Sequence, residues 1–233
     1  MVLYWIHSAG RAVFGAILQS YQLIARCRMH DIRKSVPCNT FPCTDINTDG
    51  FLTRPVLVDP TAVRMVLVSE SAPARAEDDY YAGDSALFAN TTLTAFADAG
   101  LQAGSIMDLV KMGIYFTPAV KCAKTGYGIE TATIHECSHL LEAELNLLPA
   151  LKVIMLMGDV AIKSLNQIAR RNHEARVIPA GSTYKIRGGQ FSWRGVRVFP
   201  SYLQAGPSFN IEKSKRRMIV EDLAAGMRLA GII

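Results

Sequence analysis

The chain has 233 residues, half of them hydrophobic and 19% charged, so it can bury a core and is not disordered as a whole. Lysine and arginine exceed aspartate and glutamate by 25 to 20, and the resulting charge of +5 suits a polyanionic partner such as nucleic acid. No run of about eighteen apolar residues is free of charge, so we expect neither a bilayer-spanning helix nor a membrane partner.

The cysteines indicate a reducing compartment. There are five of them, an odd number that does not suit a secreted disulfide framework. Residues 1–20 lack the charged start, long apolar block and cleavage site of a signal peptide. We therefore expect a cytoplasmic protein in which clustered cysteines bind a metal rather than form disulfides. We also expect a monomer.

The first element in chain order is a helix, which an irregular segment follows. Apolar residues at helical spacing predict the helix over Ala12–Met29. From Asp31 to Pro60 prolines and other turn residues interrupt every pattern, and this stretch holds Cys38 and Cys43. A segment of this length without regular structure needs an anchor, and a bound metal would provide one.

Beyond this segment, strands alternate with helices. Apolar runs predict strands over Arg64–Ser69, Gly113–Val120, Lys152–Met157 and Val196–Pro200. Helices are predicted over Thr91–Ala99, Glu130–Leu148, Gly158–Arg170 and Lys213–Leu229. The alternation predicts an α/β fold with three α/β/α layers around a central parallel four-stranded sheet. We divide the chain into residues 1–60, a helix and a cysteine-bearing loop packed on the core, and residues 61–233, the α/β domain.

Functional loops of a parallel sheet gather beyond the C-terminal ends of its strands. Glu70 directly follows the first strand, and a carboxylate fixed there can orient water or stabilise a developing cation. Glu77 and Asp78, further along the same loop, are the fallback for this role. A solvated acidic loop is the alternative interpretation.

A second motif is HECSH at His135–His139, which matches the zinc-hydrolase pattern H-E-x-x-H. On a helix the two histidines share a face and could hold zinc, with Glu136 as the general base. No further histidine motif follows His139, so a zinc hydrolase is the less favoured alternative.

Four cysteines from distant parts of the chain could hold a [4Fe–4S] cluster or a zinc ion. They are Cys38, Cys43, Cys122 and Cys137. Buried free cysteines are the alternative. Cys27, with His30 three residues on, is a rival ligand pair at the N-terminal side.

The last predicted helix begins with a basic run that could bind phosphates. Its basic residues are Lys213, Lys215, Arg216 and Arg217. Arg170 and Arg171 form a second, shorter run, and a solvated charged face is the alternative for both.

Taken in order, these motifs resemble the uracil-DNA glycosylase superfamily, in particular its iron–sulfur branch. VLVSESAPARAED, which contains Glu70, resembles the branch's strand ending in Gly-Glu-Ala-Pro-Gly. YFTPAVKCAKTG resembles its Tyr-x-Thr-Asn-x-Val-Lys-Cys segment, and the helix with Cys137 resembles its Cys-x-x-x-Leu helix. VRVFPSYLQAGPSF occupies the place of the second motif, a strand leading to His-Pro-Ser. The resemblance covers roughly Cys38 to Gly226.

The resemblance implies a glycosylase fold, a structural [4Fe–4S] cluster (alternatively zinc) on the four cysteines, and DNA as the partner, either a duplex with a damaged base or a single strand. The family flips a damaged base out of DNA, stacks it on an aromatic ring and reads its edge with an asparagine. A carboxylate and a histidine then assist hydrolysis. Here Glu70 matches the carboxylate, whereas Pro118 stands at the asparagine position and Gly206 (or Leu203, without a gap) at the histidine position.

We therefore expect a divergent DNA glycosylase that hydrolyses the N-glycosidic bond of a deaminated base such as uracil in base-excision repair. A nucleic-acid-binding protein of the same fold without base excision is the alternative. Glu70 is the expected catalytic residue. The expected substrate-binding residues are Ser71, Tyr81, Phe88 and Ser208, with Gln204 and backbone groups in support. DNA contacts are expected from Lys213, Lys215, Arg216 and Arg217.

Overall fold

A computed structural model of the chain describes residues 29–51 and 55–233. Apart from Met29, the helix predicted over Ala12–Met29 lies outside these residues, as does Cys27. No helix in the described ranges combines the length and apolar character needed to cross a bilayer.

The centre of the fold is a six-stranded sheet in the order β2-β5-β4-β6-β8-β7. The strands of the protein are β1 His30–Asp31, β2 Ile46–Asn47, β3 Leu57–Val58, β4 Met65–Ala72, β5 Ile114–Lys124, β6 Val153–Met157, β7 Phe191–Trp193 and β8 Val196–Ser201. Strands β5, β4, β6 and β8 are parallel, which confirms the predicted four-stranded parallel core. Strands β2 and β7 add antiparallel edges.

Helices flank this sheet. They are α1 Leu87–Asp98, α2 Ile106–Lys111, α3 Thr131–Asn146, α4 Asp159–Arg171, α5 Thr183–Ile186, α6 Ser208–Ile211 and α7 Lys213–Ala230. Short 3-10 turns occupy Ile32–Ser35, Thr48–Gly50 and Ala76–Asp78. The four long helices α1, α3, α4 and α7 are those that the sequence predicted, whereas α2, α5 and α6 are too short to produce a readable period of 3.6 residues.

Connection handedness places the helices in two layers. The chain runs from β4 to its neighbour β5 on one side, and then crosses back to β6 on the other side of β4. Right-handed crossovers in opposite directions put α1 and α3 on opposite faces of the sheet. In agreement, α1 packs against α7, and α3 packs against α4. The strand order thus reverses at β4, and ligands of doubly wound folds bind in the crevice at such a point.

The interior of the sheet is almost entirely apolar. All five residues of β6, Val153–Met157, are fully buried, as expected for a parallel strand covered on both faces. Helix α7 lies close to these strands because Gly226 has no side chain, and a β-carbon there would meet the sulfur of Met155 at 2.9 Å.

The cysteine-bearing segment is attached to this core by polar contacts. Arg33 and Asp79 form a salt bridge of 3.1 Å with both side chains buried, which joins the segment to the loop after β4. Strand β1 pairs with β3, and β2 pairs with the end of β5. The irregular sequence over 31–60 is therefore anchored by edge pairing and a buried ion pair as well as by any metal.

Candidate active site

Two clefts meet at the C-terminal edge of the parallel strands. The larger cleft has a volume of about 600 Å³ and the smaller about 410 Å³. Both are lined by Glu70, Lys124, Leu203 and Ser208. The crevice that the strand order predicts therefore exists, and the candidate catalytic carboxylate lies where its two parts join.

Glu70 is held between the ends of three parallel strands. It lies in β4, and its carboxylate is 3.9 Å from Nζ of Lys124 at the end of β5. On the other side it abuts Gly158, which follows β6 with a φ of +110°. A β-carbon at Gly158 would approach Oε1 of Glu70 to 2.8 Å, so this position requires glycine both for its backbone conformation and for space.

The surroundings of Glu70 raise its pKa. Partial burial is the largest cause, and Asp159 adds to it, whereas Lys124 and Lys163 act in the opposite direction. A carboxylate with a raised pKa is a stronger base once ionised, which suits proton transfer from water.

Aromatic and small residues line the smaller cleft. The half-buried ring of Phe88 faces Gly206, where an added β-carbon would contact the ring at 3.5 Å. Behind Phe88 lies the buried ring of Tyr80, whose hydroxyl accepts a hydrogen bond of 3.1 Å from Gln204. Ser71 lines the same cleft and is almost fully buried. The cleft thus offers a flat apolar surface close to a carboxylate.

Tyr81 lies elsewhere, and its position explains Pro118. The hydroxyl of Tyr81 donates to the carbonyl of Phe116 at 2.9 Å and accepts from the amide of Phe116 at 3.1 Å, on the side of β5 away from β4. Pro118 is two residues on and faces the same side, where its missing N–H leaves no ladder bond unmade. Among the described residues that line the two clefts, Phe88 is present and Tyr81 is not.

The two fallback carboxylates after β4 also differ in whether they line a cleft. Asp78 lines the smaller cleft and pairs with Arg75 at 2.9 Å, whereas Glu77 is exposed. Glu70 lines both clefts, whereas Asp78 lines only the smaller one and Glu77 is not among the residues that line either.

The basic residues at the start of α7 also differ in position. Lys215 and Arg216 line the larger cleft, where they pair with Glu212 and Asp98 respectively. Lys213 and Arg217 are exposed on the same helix and are not among the residues that line either cleft.

Two lysines of the site were not predicted from the sequence. Lys124 lines both clefts and Lys163 lines the larger one. The rule that functional loops follow parallel strands could have found Lys124, which ends β5, but nothing in the sequence indicated Lys163.

The four candidate cysteines converge on one region beside β5. All are free thiols, with Cys122 and Cys137 buried and Cys38 and Cys43 half-buried. Burial raises the pKa of Cys122 to about 12, and the negative charge that the other three thiolates would carry contributes to the shift. Burial also raises the pKa of Cys137, although the Lys121 amide donates a hydrogen bond to its sulfur. Within the described ranges, no three His, Cys, Asp or Glu side chains are arranged to hold a single metal ion.

Asp45 links the cysteine-bearing segment to the site. Its carboxylate accepts from the amide of Glu130 at 2.6 Å and from the hydroxyl of Thr133, at the start of α3. Its carbonyl accepts from the amide and hydroxyl of Thr125. Although partial burial raises the pKa of Asp45, these hydrogen bonds hold it below the usual value. Both ends of the loop that follows Lys124 are thereby fixed.

The histidines of the HECSH motif lie next to each other on α3, with ring centroids 5.5 Å apart. Burial, Arg171 and His135 lower the pKa of His139. In the described part of the chain no third ligand joins them. His30, the rival cluster ligand, hydrogen bonds with Ser35 at 2.5 Å.

Together, a mostly parallel sheet flanked by helices and a carboxylate in the crevice at the reversal of strand order define a doubly wound α/β protein with a candidate active site at the C-terminal edge of its strands. No family model matches the chain. A curated relative, the type-5 uracil-DNA glycosylase of Thermus thermophilus, is 29% identical over 125 residues. The match covers 54% of this chain and 54% of the relative, so the chain spans about half the length of the curated relative it matches. This similarity supports membership of the uracil-DNA glycosylase superfamily with a type 4/5-like relationship, as the sequence motifs predicted.

Proposed function

We propose that the protein is a DNA glycosylase that hydrolyses the N-glycosidic bond of a deaminated base such as uracil, with Glu70 as the catalytic residue. The observation that carries this proposal is the Glu70 carboxylate, fixed against Gly158 where two clefts meet. The similarity to a type-5 uracil-DNA glycosylase supports the same chemistry.

The proposed hydrolysis needs a water molecule and the Glu70 carboxylate. The bond between C1′ of the sugar and the base nitrogen breaks, and its electron pair leaves with the base. A water oxygen bonds to C1′ and gives up a proton to Glu70 or to solvent, while the carboxylate stabilises the positive charge that develops on the sugar.

The smaller cleft is the proposed binding site for the extruded base. Phe88 supplies the ring on which it stacks, a role for which Tyr81 is poorly placed because its hydroxyl is held by the backbone of Phe116. Ser71 and Ser208 line this cleft and can hydrogen bond with the base. Since Pro118 and Gly206 offer no side-chain donors, base selection is broad and excision is slow.

DNA is the proposed partner along the larger cleft. Lys215 and Arg216 line it, and Lys213 and Arg217 extend the positive surface along α7. Contacts between such side chains and phosphates give binding that weakens as salt rises. Duplexes with a damaged base and single strands both suit a cleft of this charge.

We also propose that Cys38, Cys43, Cys122 and Cys137 hold a [4Fe–4S] cluster. The donor set fits the group, because four thiols from separate segments approach each other and each would bind a different iron. Bound there, the cluster supplies structural support that ties the N-terminal segment to β5 and α3. Zinc is the alternative occupant, and the free thiols suit a reducing compartment such as the cytoplasm.

A second candidate function is DNA binding without base excision. Pro118 and Gly206 favour it, because two groups that the family uses on the base are missing. The zinc-hydrolase alternative finds no support from the two paired histidines of α3.

The deciding experiment measures abasic sites produced in duplexes that carry uracil, hypoxanthine or xanthine. We expect the wild type to cleave at least one, and E70Q to lose cleavage by at least about 10²-fold while keeping its DNA affinity. E136Q is the matched comparison, since loss of activity there instead of in E70Q would favour the zinc hydrolase. A wild type that binds DNA and cleaves no lesion would favour the non-excising function.

A further inference from the structure

Lys124 lies beside Glu70 where the two clefts meet. It ends β5, lines both clefts, and its Nζ lies 3.9 Å from Oε2 of Glu70. Its ammonium donates a hydrogen bond of 3.0 Å to the carbonyl of Tyr127. The side chain is 36% exposed, so it is accessible to a ligand that enters either cleft.

The charges around the smaller cleft are otherwise negative. Among the described residues that line it, Glu70 and Asp78 are acidic and Lys124 carries the only positive charge. A base that leaves with the electron pair of the glycosidic bond becomes negative in this same space. Asp78 is already paired with Arg75, so without Lys124 the carboxylate of Glu70 would oppose the departure of the base.

The ammonium group retains the capacity to contact a base. Lysine has three N–H donors, and in the described part of the chain one is directed at Tyr127. The separation of 3.9 Å from Glu70 is an ion-pair distance that exceeds a hydrogen bond, so Glu70 does not take up a donor of the ammonium and a base oxygen or nitrogen can accept one.

The backbone around Lys124 is held in place. Lys124 pairs with Ile46 of β2, and the next residue, Thr125, donates its amide and hydroxyl to the carbonyl of Asp45. A charge on a fixed backbone can stabilise a transition state without reorganising as the reaction proceeds.

We propose that Lys124 is a further catalytic residue, which stabilises the negative charge on the departing base. As the C1′–N bond breaks, its electron pair moves to the base, and the Lys124 ammonium donates a hydrogen bond to the base anion while Glu70 faces the sugar. This inference rests on the proposed glycosylase function.

The test compares two bases that differ in their quality as leaving groups. Single-turnover excision is measured on duplexes containing uracil or 5-fluorouracil, whose fluorine stabilises the departing anion. K124M and K124Q both remove the charge, K124R keeps it, and K111M is a control on a lysine that pairs with Asp108 at the other end of the strands. Thermal melting and DNA affinity of each variant report on folding and binding.

If Lys124 stabilises the leaving base, K124M and K124Q slow uracil excision by about 10²–10³-fold. Excision of 5-fluorouracil slows by much less, so the ratio of the two rates rises by at least about tenfold, and K124R restores most of the loss. An unchanged ratio in both uncharged variants, with folding and DNA affinity intact, overturns the role of Lys124 and leaves the glycosylase function standing. A wild type that excises neither these two bases nor hypoxanthine or xanthine overturns the glycosylase function and this inference together.

Discussion

A β-carbon added to Gly158 would stand 2.8 Å from Oε1 of Glu70, so the carboxylate occupies space that only a glycine at position 158 leaves open. Gly158 also has a φ of +110°, a conformation that residues with side chains rarely adopt. The end of β6 thus fixes the position of a carboxylate on β4. The geometry of the site therefore depends on Gly158, which has no functional group of its own.

The first prediction concerns this contact. We expect G158A to shift the Glu70 carboxylate and to lower base excision by about 10²-fold, since displacements of about 1 Å have effects of that size. The strained backbone should also destabilise the fold by about 1–3 kcal/mol. Excision kinetics and thermal melting check both effects. G195A is the control, because Gly195 also has a positive φ but has no atom within 4 Å of an added β-carbon. A G158A variant with wild-type excision would contradict the positioning role.

The second prediction concerns pH. Burial and Asp159 raise the pKa of Glu70, and the ionised form is the base, so kcat/KM should rise with pH through that raised pKa. Removing the negative charge in D159N lowers the pKa of Glu70 and moves the acid limb of the profile to lower pH. Removing the positive charge in K163M moves it to higher pH. A pH profile of excision for the three proteins checks the signs, and limbs that stay in place in both variants would argue against Glu70 as the base.

The elements that define the site were predictable from local patterns. Four apolar runs gave the four parallel strands, because a strand buried on both faces is apolar along its whole length. Because these strands alternate with helices, a parallel sheet is expected, with the functional site at the C-terminal ends of its strands. Glu70 lies at such an end and could therefore be predicted. The short edge strands β2 and β7 carry too few residues for a pattern to be read.

Contacts between distant residues were not predictable in the same way. The sequence predicts that the ring of Tyr81 lies near the site. In the structure its hydroxyl hydrogen bonds with the backbone of Phe116 in β5, thirty-five residues away. Lys163 reaches the larger cleft only because α4 begins beside Glu70. Asp45 fixes both ends of the loop after Lys124 through hydrogen bonds that span eighty residues or more. Spacing along the chain carries no information on such pairs.

The third prediction is that anaerobically purified protein is brown and contains about four irons per chain. C122S and C43S should lose most of the iron and of the visible absorption, because each removes one of four thiolate ligands. Metal analysis and absorption spectra check this. Zinc at one equivalent without iron after anaerobic reconstitution would contradict it. Iron retained in C38S and lost in C27S would make Cys27 the N-terminal ligand instead.

The fourth prediction concerns the buried salt bridge between Arg33 and Asp79. R33M should destabilise the protein by about 3–5 kcal/mol, because it leaves the buried carboxylate with the Tyr81 amide but without a compensating positive charge. The double variant R33M/D79N should recover part of this loss, since the uncompensated charge is then gone. Denaturant unfolding of the wild type, R33M, D79N and R33M/D79N gives the four free energies of a double-mutant cycle. Additive effects of the two substitutions would mean that the pair contributes no coupling.

The last prediction separates the basic residues of α7 by their position. Lys215 and Arg216 line the larger cleft, whereas Lys213 and Arg217 do not, although all four lie on the first turns of one helix. If DNA follows this cleft, phosphates replace Glu212 and Asp98 as partners of the first pair.

Each phosphate contact that a substitution removes from a duplex complex reduces the slope of log affinity against log salt by about 0.9. We therefore expect K215Q/R216Q to flatten the slope by about 1.8 and K213Q/R217Q to flatten it by less, although the two double variants remove equal charge. The equal charge matters, because a general field effect on a chain of net charge +5 would change both variants alike. Titrations of a labelled duplex at several salt concentrations measure the slopes. Equal changes in the two variants would place the DNA along the exposed face of α7, and no change in either would move the DNA-binding surface away from this helix.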